Sequence, residues 1–173
     1  YTLHHGHLAT PQAPVPLPAP VVARVDTGRR TDIMANHTAT HILHWALREV
    51  LGDHATQQGS AVEPEKLRFD FTHHSKLTDA ELLKIERLVN RQVMSTAVVE
   101  NRSMPVKEAK ESGAMAIFGE KYGETVRVVS VCGFSKELCG GTHLTNAGMI
   151  GSFYITEEAA LSAGVRRIVA ITR

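Results

Sequence analysis

Two cysteines in 173 residues exclude a disulfide framework, and one tryptophan, three tyrosines and five phenylalanines leave no evident aromatic platform for stacking bases. No apolar run is long enough to span a bilayer, and the opening YTLHHGHLAT lacks the apolar centre of a signal peptide, so the chain is expected in the cytoplasm. Neither sign of charge dominates: 19 Lys and Arg face 18 Asp and Glu. That balance argues against a polyanion clamp over the whole surface and confines any nucleic-acid contact to a local patch. There is no internal repeat and no sustained heptad, and nothing resembles an ATP-binding active site. An apolar fraction of 43% over this length suits one globular domain with a substantial core.

What the sequence does have is two short ligand-like pairs, His37 with His41 and Cys139 with His143. The first lies in NHTATHILHWALREVL, where Ala39, Ile42, Leu43, Ala46 and Val50 recur at helical intervals, so the two imidazoles stack on one helix face. The second lies in LCGGTH, where Gly140 and Gly141 permit a tight turn that aims the thiolate and the imidazole into one cavity. Each pair alone has a plainer explanation, a core-edge helix face or an ordinary glycine turn. Jointly they put a zinc site with three His and one Cys level with that plainer reading. A metallopeptidase is disfavoured because Thr38 stands where such enzymes carry the Glu that serves as general base. Four protein ligands would close the site, whereas an open position would let the metal act on water, a carbonyl or an amino group.

The rest of the chain reads as an α+β fold, mostly antiparallel sheet packed against two main helices. Residues 1–20 are Pro-rich and low in charge, an extended connection. Residues 21–25 alternate weakly as a strand, and residues 26–32 supply turn and capping groups before a long helix that ends near Leu51, with His44 and Arg48 on its polar side and Gly52 as the stop. Strands are predicted over residues 56–62, 67–71, 98–104, 126–131, 151–156 and 165–172. A second helix opens on the capping box Thr78 and Glu81, and a short one opens at Pro105. Strands outnumber helices and do not alternate strictly with them, which favours antiparallel pairing over a doubly wound sheet.

Several polar residues invite roles. Gln57 and Gln58 are adjacent on a strand, so they point to opposite faces and only one can meet the helix. Gly59 and Ser60 permit close approach of a ligand, or simply mark a bulge. Thr38, Thr40 and Thr142 flank the proposed ligands, where their hydroxyls either orient a metal shell or substrate or satisfy local carbonyls. Arg102, Lys121, Arg166 and Arg167 are candidate phosphate contacts, although a solvated strand face accounts more simply for the Arg pair. The cluster His4, His5 and His7 and the pair His73 and His74 receive no role, and Cys132 is expected to be buried packing.

Taken in order, NHTATHILHWALREVLG, QQGSAV, LRFDF, AMAIFGEKYG, LCGGTH and AGVRRI resemble the editing domain of alanyl-tRNA synthetase and its freestanding relatives, with the related domain of threonyl-tRNA synthetase more distant. The resemblance runs from about Asp26 to the C-terminus; residues 1–25 resemble the tail of the β-barrel that precedes this domain, so the chain divides into a truncated tail, 1–25, and an editing domain, 26–173. It implies a zinc-binding editing-domain fold and hydrolysis of the ester that joins serine or glycine to the terminal adenosine of tRNA(Ala). It carries the metal positions onto His37, His41, Cys139 and His143, the cofactor being Zn2+, and the editing-site Gln onto Gln57. Thr38 and Thr40 are the candidates for sensing the serine hydroxyl. The partner is mischarged tRNA(Ala), together with the remainder of the synthetase. The rival expectation is a noncatalytic zinc-stapled module that binds tRNA.

Overall fold

The computed structural model describes residues 5–7, 18–116 and 123–172. His4, most of the Pro-rich opening, and Lys121 with the IFGEKY part of its motif lie outside the described residues. The long helix α1 spans Thr27–Leu51. Asp26 caps it by accepting the Arg29 N–H at 3.0 Å, so the residues expected to form a preceding turn instead build the first helical turns. At the other end Gly52 adopts φ 107° and donates its N–H to the Arg48 carbonyl, which ends the helix. The strand expected at residues 21–25 does not form. Val21, Val22 and Val25 lie exposed with no sheet edge beside them.

Two antiparallel sheets account for the seven strands among the described residues. β1 (Gln57–Val62), β2 (Leu67–Thr72), β6 (Phe153–Ser162) and β7 (Val165–Thr172) form the larger, in the order β1-β2-β7-β6. β3 (Val99–Pro105), β4 (Thr125–Val131) and β5 (Ser135–Leu138) form the smaller. α2 (Asp79–Met94) and the short α3 (Val106–Glu111) complete the set, with a 3₁₀ turn over Ala147–Ile150. This is the antiparallel α+β architecture that the sequence predicts. β5 is the element that pattern reading misses, because SKEL carries no apolar alternation.

Strand alternation divides β2 between two environments. Leu67, Phe69 and Phe71 point into the core with Ile42, Leu43 and Leu47 of α1, Ile85 and Val89 of α2, Phe153 and Ile168. Asp70 points to the other face, where Arg167, opposite it in register on β7, clasps both carboxylate oxygens at 2.7 and 2.9 Å. Arg166 is likewise held by Glu158, and Arg102 pairs with Glu100 at 3.0 Å, so these three cations are committed within the protein. α2 starts on the predicted capping box and also guards the edge strand β6. The Asn90 amide exchanges two hydrogen bonds with the backbone of Phe153, and Glu86 accepts from the Ile155 N–H.

The β4–β5 hairpin turns through Cys132 and Gly133, both at positive φ (40° and 79°), with the Phe134 N–H bonded to the Val131 carbonyl. That is the primed turn geometry that matches strand twist, and it leaves Cys132 exposed rather than packed in the core as expected. Among the described residues no helix is long and apolar enough to cross a membrane. Two substitutions should grade the core against the caps: Phe69→Ala is expected to cost about 3–5 kcal/mol, and Thr78→Ala about 1 kcal/mol. Denaturant midpoints with unchanged slopes would check both.

Candidate metal centre

The two sequence pairs meet. His37 and His41 project one turn apart from α1, and the loop that leaves β5 brings Cys139 and His143 against them, so that one donor atom from each lies within 4.8 Å of every other. The Cys139 sulfur is 3.4 Å from His37 Nε2 and 3.3 Å from His143 Nε2. A tetrahedral site with bonds of about 2.0–2.3 Å has ligand edges of about 3.3–3.6 Å, so the two Cys139 edges already have that length, and donors up to 4.8 Å apart would draw together around a cation.

Each half is fixed by its own scaffold. Asn36, immediately before His37, donates to the carbonyls of Glu63 and Pro64 and accepts from Thr172, tying α1 to the β1–β2 turn and to β7. The loop is held by Arg127 of β4, whose guanidinium donates to the Gly141 carbonyl at 2.7 Å and to Asn101 at 2.8 Å. Gly141 is required by close approach rather than by turn geometry: a Cβ there would lie 2.6 Å from His37 Nδ1 and closer still to its Cε1. Gly140 has open space on that side. Thr38 joins the halves directly, since its fully buried hydroxyl accepts the Leu144 N–H at 3.1 Å and lies 3.2 Å from His143 Nδ1. That contact offers an acceptor to an Nδ1–H and leaves Nε2 turned toward Cys139.

Behind the donors stands Glu137, 2% exposed, with Oε2 at 2.7 Å from His41 Nδ1 and Oε1 at 2.8 Å from His44 Nδ1. The His44 contact is an aligned hydrogen bond. The His41 contact is short but off the ring's N–H axis, so it is better described as a charge contact. Burial by itself would push His41 down, but the Glu137 carboxylate and the Cys139 sulfur outweigh it and raise the ring to about 10. Burial likewise pushes Glu137 up, and His41 with the His44 hydrogen bond overrides it, holding the carboxyl at about 2. For Cys139, too, burial opposes ionisation, and its contacts with the ring nitrogens of His143, His37 and His41 bring the thiol down to about 3. Desolvation dominates at His143 and lowers it to about 4. The centre therefore presents a ready thiolate, a neutral His143 and, on His41, a proton to displace.

The other predicted site residues make their hydrogen bonds elsewhere. Thr40 is buried and donates to the Asn36 carbonyl at 2.8 Å. Gln57 is half-buried at the head of β1, where its Nε2 donates to Ser60 Oγ at 3.0 Å, while Gln58 is exposed, in keeping with opposite strand faces. A bulge sits between Gln57 and Gly59. Sequence reading missed Glu137 and took His44 for the polar side of its helix. The signals were there: His44 continues the His37, His41 stripe at helical spacing, and Glu137 precedes Cys139 by two, the same-face interval of a strand. The cavity of about 580 Å³ lined by Trp45, Arg48, Phe134 and Lys136 holds none of the four donors, and its cations are engaged with Asp53 and the Ser112 carbonyl.

Residues 126–169 match the family described as Threonyl and Alanyl tRNA synthetase second additional domain. Over 98% of its length the chain is 50% identical to an alanine--tRNA ligase of Dechloromonas aromatica, covering 19% of that protein. It is 57% identical over 86% of its length to the alanine--tRNA ligase of Pseudothermotoga lettingae, and 57% identical over 88% to that of Thermotoga petrophila, covering 17% and 18% of them. The chain thus spans about a fifth of the length of the curated relatives it matches.

Gly141→Ala is expected to weaken uptake of a divalent cation at least about tenfold, whereas Gly140→Ala leaves it near wild type. Titration against a chelating dye would separate them. Uptake near pH 8 should release about one proton from His41 and none from Cys139, because the thiol is already ionised. Calorimetry in buffers of differing ionisation enthalpy gives that count, and a second proton released would show that Cys139 starts as a thiol.

Proposed function

We infer that this chain, which belongs to the editing region of alanyl-tRNA synthetases, hydrolyses the ester joining serine or glycine, loaded in error, to the terminal adenosine of tRNA(Ala). On this reading residues 26–173 are the deacylase domain, residues 1–25 are the tail of a preceding barrel, and the working partner is the rest of a synthetase. A cytoplasmic site of action goes with it. The observation that carries the proposal is the convergence of His37, His41, Cys139 and His143, two from each end of the domain, within 4.8 Å. A thiolate with three imidazoles suits Zn2+, which prefers sulfur and nitrogen donors in a tetrahedron.

The chemical demand is modest. An aminoacyl ester is already activated relative to an amide, so holding the ester and a water in register accounts for most of the acceleration required. Zinc in this site supplies a fixed positive centre able to polarise a carbonyl or grip an amino group. Thr38 keeps His143 in the orientation that faces Cys139. Gln57 spends an N–H on Ser60, which leaves its carbonyl oxygen to accept from water or from the α-amino group of the substrate. The Thr40 proton is committed to the Asn36 carbonyl, so that hydroxyl can act toward serine only as an acceptor.

A second site of this kind is what the selectivity problem demands. A pocket sized for alanine excludes neither the smaller glycine nor a side chain that merely adds a hydroxyl, and a polar site that engages the error makes up the difference. The four-donor count itself favours one alternative, a closed zinc staple in a noncatalytic tRNA-binding module. Deacylation assays on tRNA(Ala) charged with serine, glycine or alanine distinguish the two. Wild type should release the first two and spare alanine, and Cys139→Ala should lose at least about tenfold in rate. Alanine released as fast as serine would remove the proofreading role, and bound charged tRNA with no release above the spontaneous rate would establish the staple. Within the active protein, serine release that survives Gln57→Ala and the Val variants of Thr38 and Thr40 would remove those three from the mechanism.

A further inference from the structure

We propose that Glu137, braced by His44, is a positioning residue for the metal centre: it sets the His41 tautomer and supplies the negative charge that balances the bound cation. The inference rests on the metal reading of the cluster and adds to it two residues outside the ligand set.

The geometry is specific. Both oxygens of one carboxylate, in a residue 2% exposed, face ring nitrogens: Oε2 toward His41 Nδ1 at 2.7 Å, Oε1 toward His44 Nδ1 at 2.8 Å. A carboxylate has no proton of its own to donate, so the nitrogen that faces it carries the hydrogen: His44 Nδ1 in its hydrogen bond to Oε1, and His41 Nδ1 because the negative charge at Oε2 favours the tautomer with N–H on that side. For His41 this leaves the lone pair on Nε2, the nitrogen free to bind a metal. A carboxylate set behind a ligating imidazole in this manner also makes the imidazole a better donor.

Charge bookkeeping points the same way. A divalent cation with one thiolate and three neutral imidazoles carries a net charge of about +1 into a largely buried site. Glu137 cancels it, so cation, thiolate and carboxylate sum to zero. His44 then explains itself. Its Nε2 is buried without a partner, a cost that makes no sense for an isolated core histidine. What His44 supplies in return is the N–H on Oε1, without which a buried carboxylate oxygen would be unsatisfied and the group free to rotate away from His41.

β5 makes the arrangement possible. Glu137 and Cys139 sit two apart, on the same face of the strand and its extension, so one short segment delivers both the ligand and the carboxylate behind its neighbour.

The test uses the chain with zinc alone and with cobalt as a spectroscopic substitute, comparing wild type with Glu137→Gln, His44→Asn and His44→Phe. Glu137→Gln should weaken zinc binding about 10–100-fold and shift the cobalt d–d band, with circular dichroism unchanged. His44→Asn, whose amide N–H reaches the place of Nδ1, should stay within about threefold of wild type, and His44→Phe should fall several-fold below it. Proton–nitrogen correlation NMR of the zinc form should find the hydrogen of His41 on Nδ1 in wild type. Wild-type affinity and spectrum in Glu137→Gln would overturn the proposal; should that variant not fold, unchanged zinc affinity in His44→Phe would overturn it equally. A wild-type chain that takes up no zinc sinks the metal reading and this inference together, whereas zinc uptake without serine release removes only the editing reaction and leaves Glu137 in its role.

Discussion

The docking of one loop onto one helix is the constraint from which the rest of the molecule follows. The segment 139–144 lies against α1 through the Leu144 N–H on Thr38, the His37 ring over Gly141, and the Cys139 sulfur between two imidazoles. None of these groups could be buried alone at acceptable cost, since each is polar and each has its partner on the other element. The large sheet serves the contact by holding α1 rigid through Asn36, and the small sheet serves it by holding the loop through Arg127. Neither sheet carries the centre by itself.

The same contact explains what the sequence could and could not disclose. Periodicity exposed α1 and α2, with the Thr78 and Glu81 box intact, and alternation exposed β2, because in each case one face meets apolar core and the other does not. Ligand spacing exposed His37, His41, Cys139 and His143, because a shared cation imposes local geometry on each pair. Where pairing across the fold decides the outcome, the pattern was silent. β5 is a strand because β4 lies beside it, and its residues Ser135, Lys136 and Glu137 have no strand signature of their own. Cys132 looks like the end of an apolar run, yet the hairpin needs a positive φ there and turns it to solvent. Glu137 and His44 each stood at a telling interval from a ligand, yet the pairing that gives them a role joins residues 93 apart and exists only in three dimensions.

On β7 the two arginines are paired within the protein. Arg166 with Glu158 and Arg167 with Asp70 pair across neighbouring strands, which fits the balanced composition and the reading of the Arg pair as part of a strand face. Around the centre the balance is instead arranged for a cation. One thiolate and one carboxylate converge beside three imidazoles, a composition suited to a divalent guest and poorly suited to an anionic one.

The separation of the donors along the chain has a further bearing, on biosynthesis. In the growing chain α1 offers two imidazoles, and about a hundred residues separate them from the sulfur and the third imidazole that complete the set. Neither end of the domain holds more than two of the four donors, so a four-point hold on a cation requires the loop to have docked on α1. A cation held at all four points would therefore register the meeting of two distant segments, and not the folding of either alone.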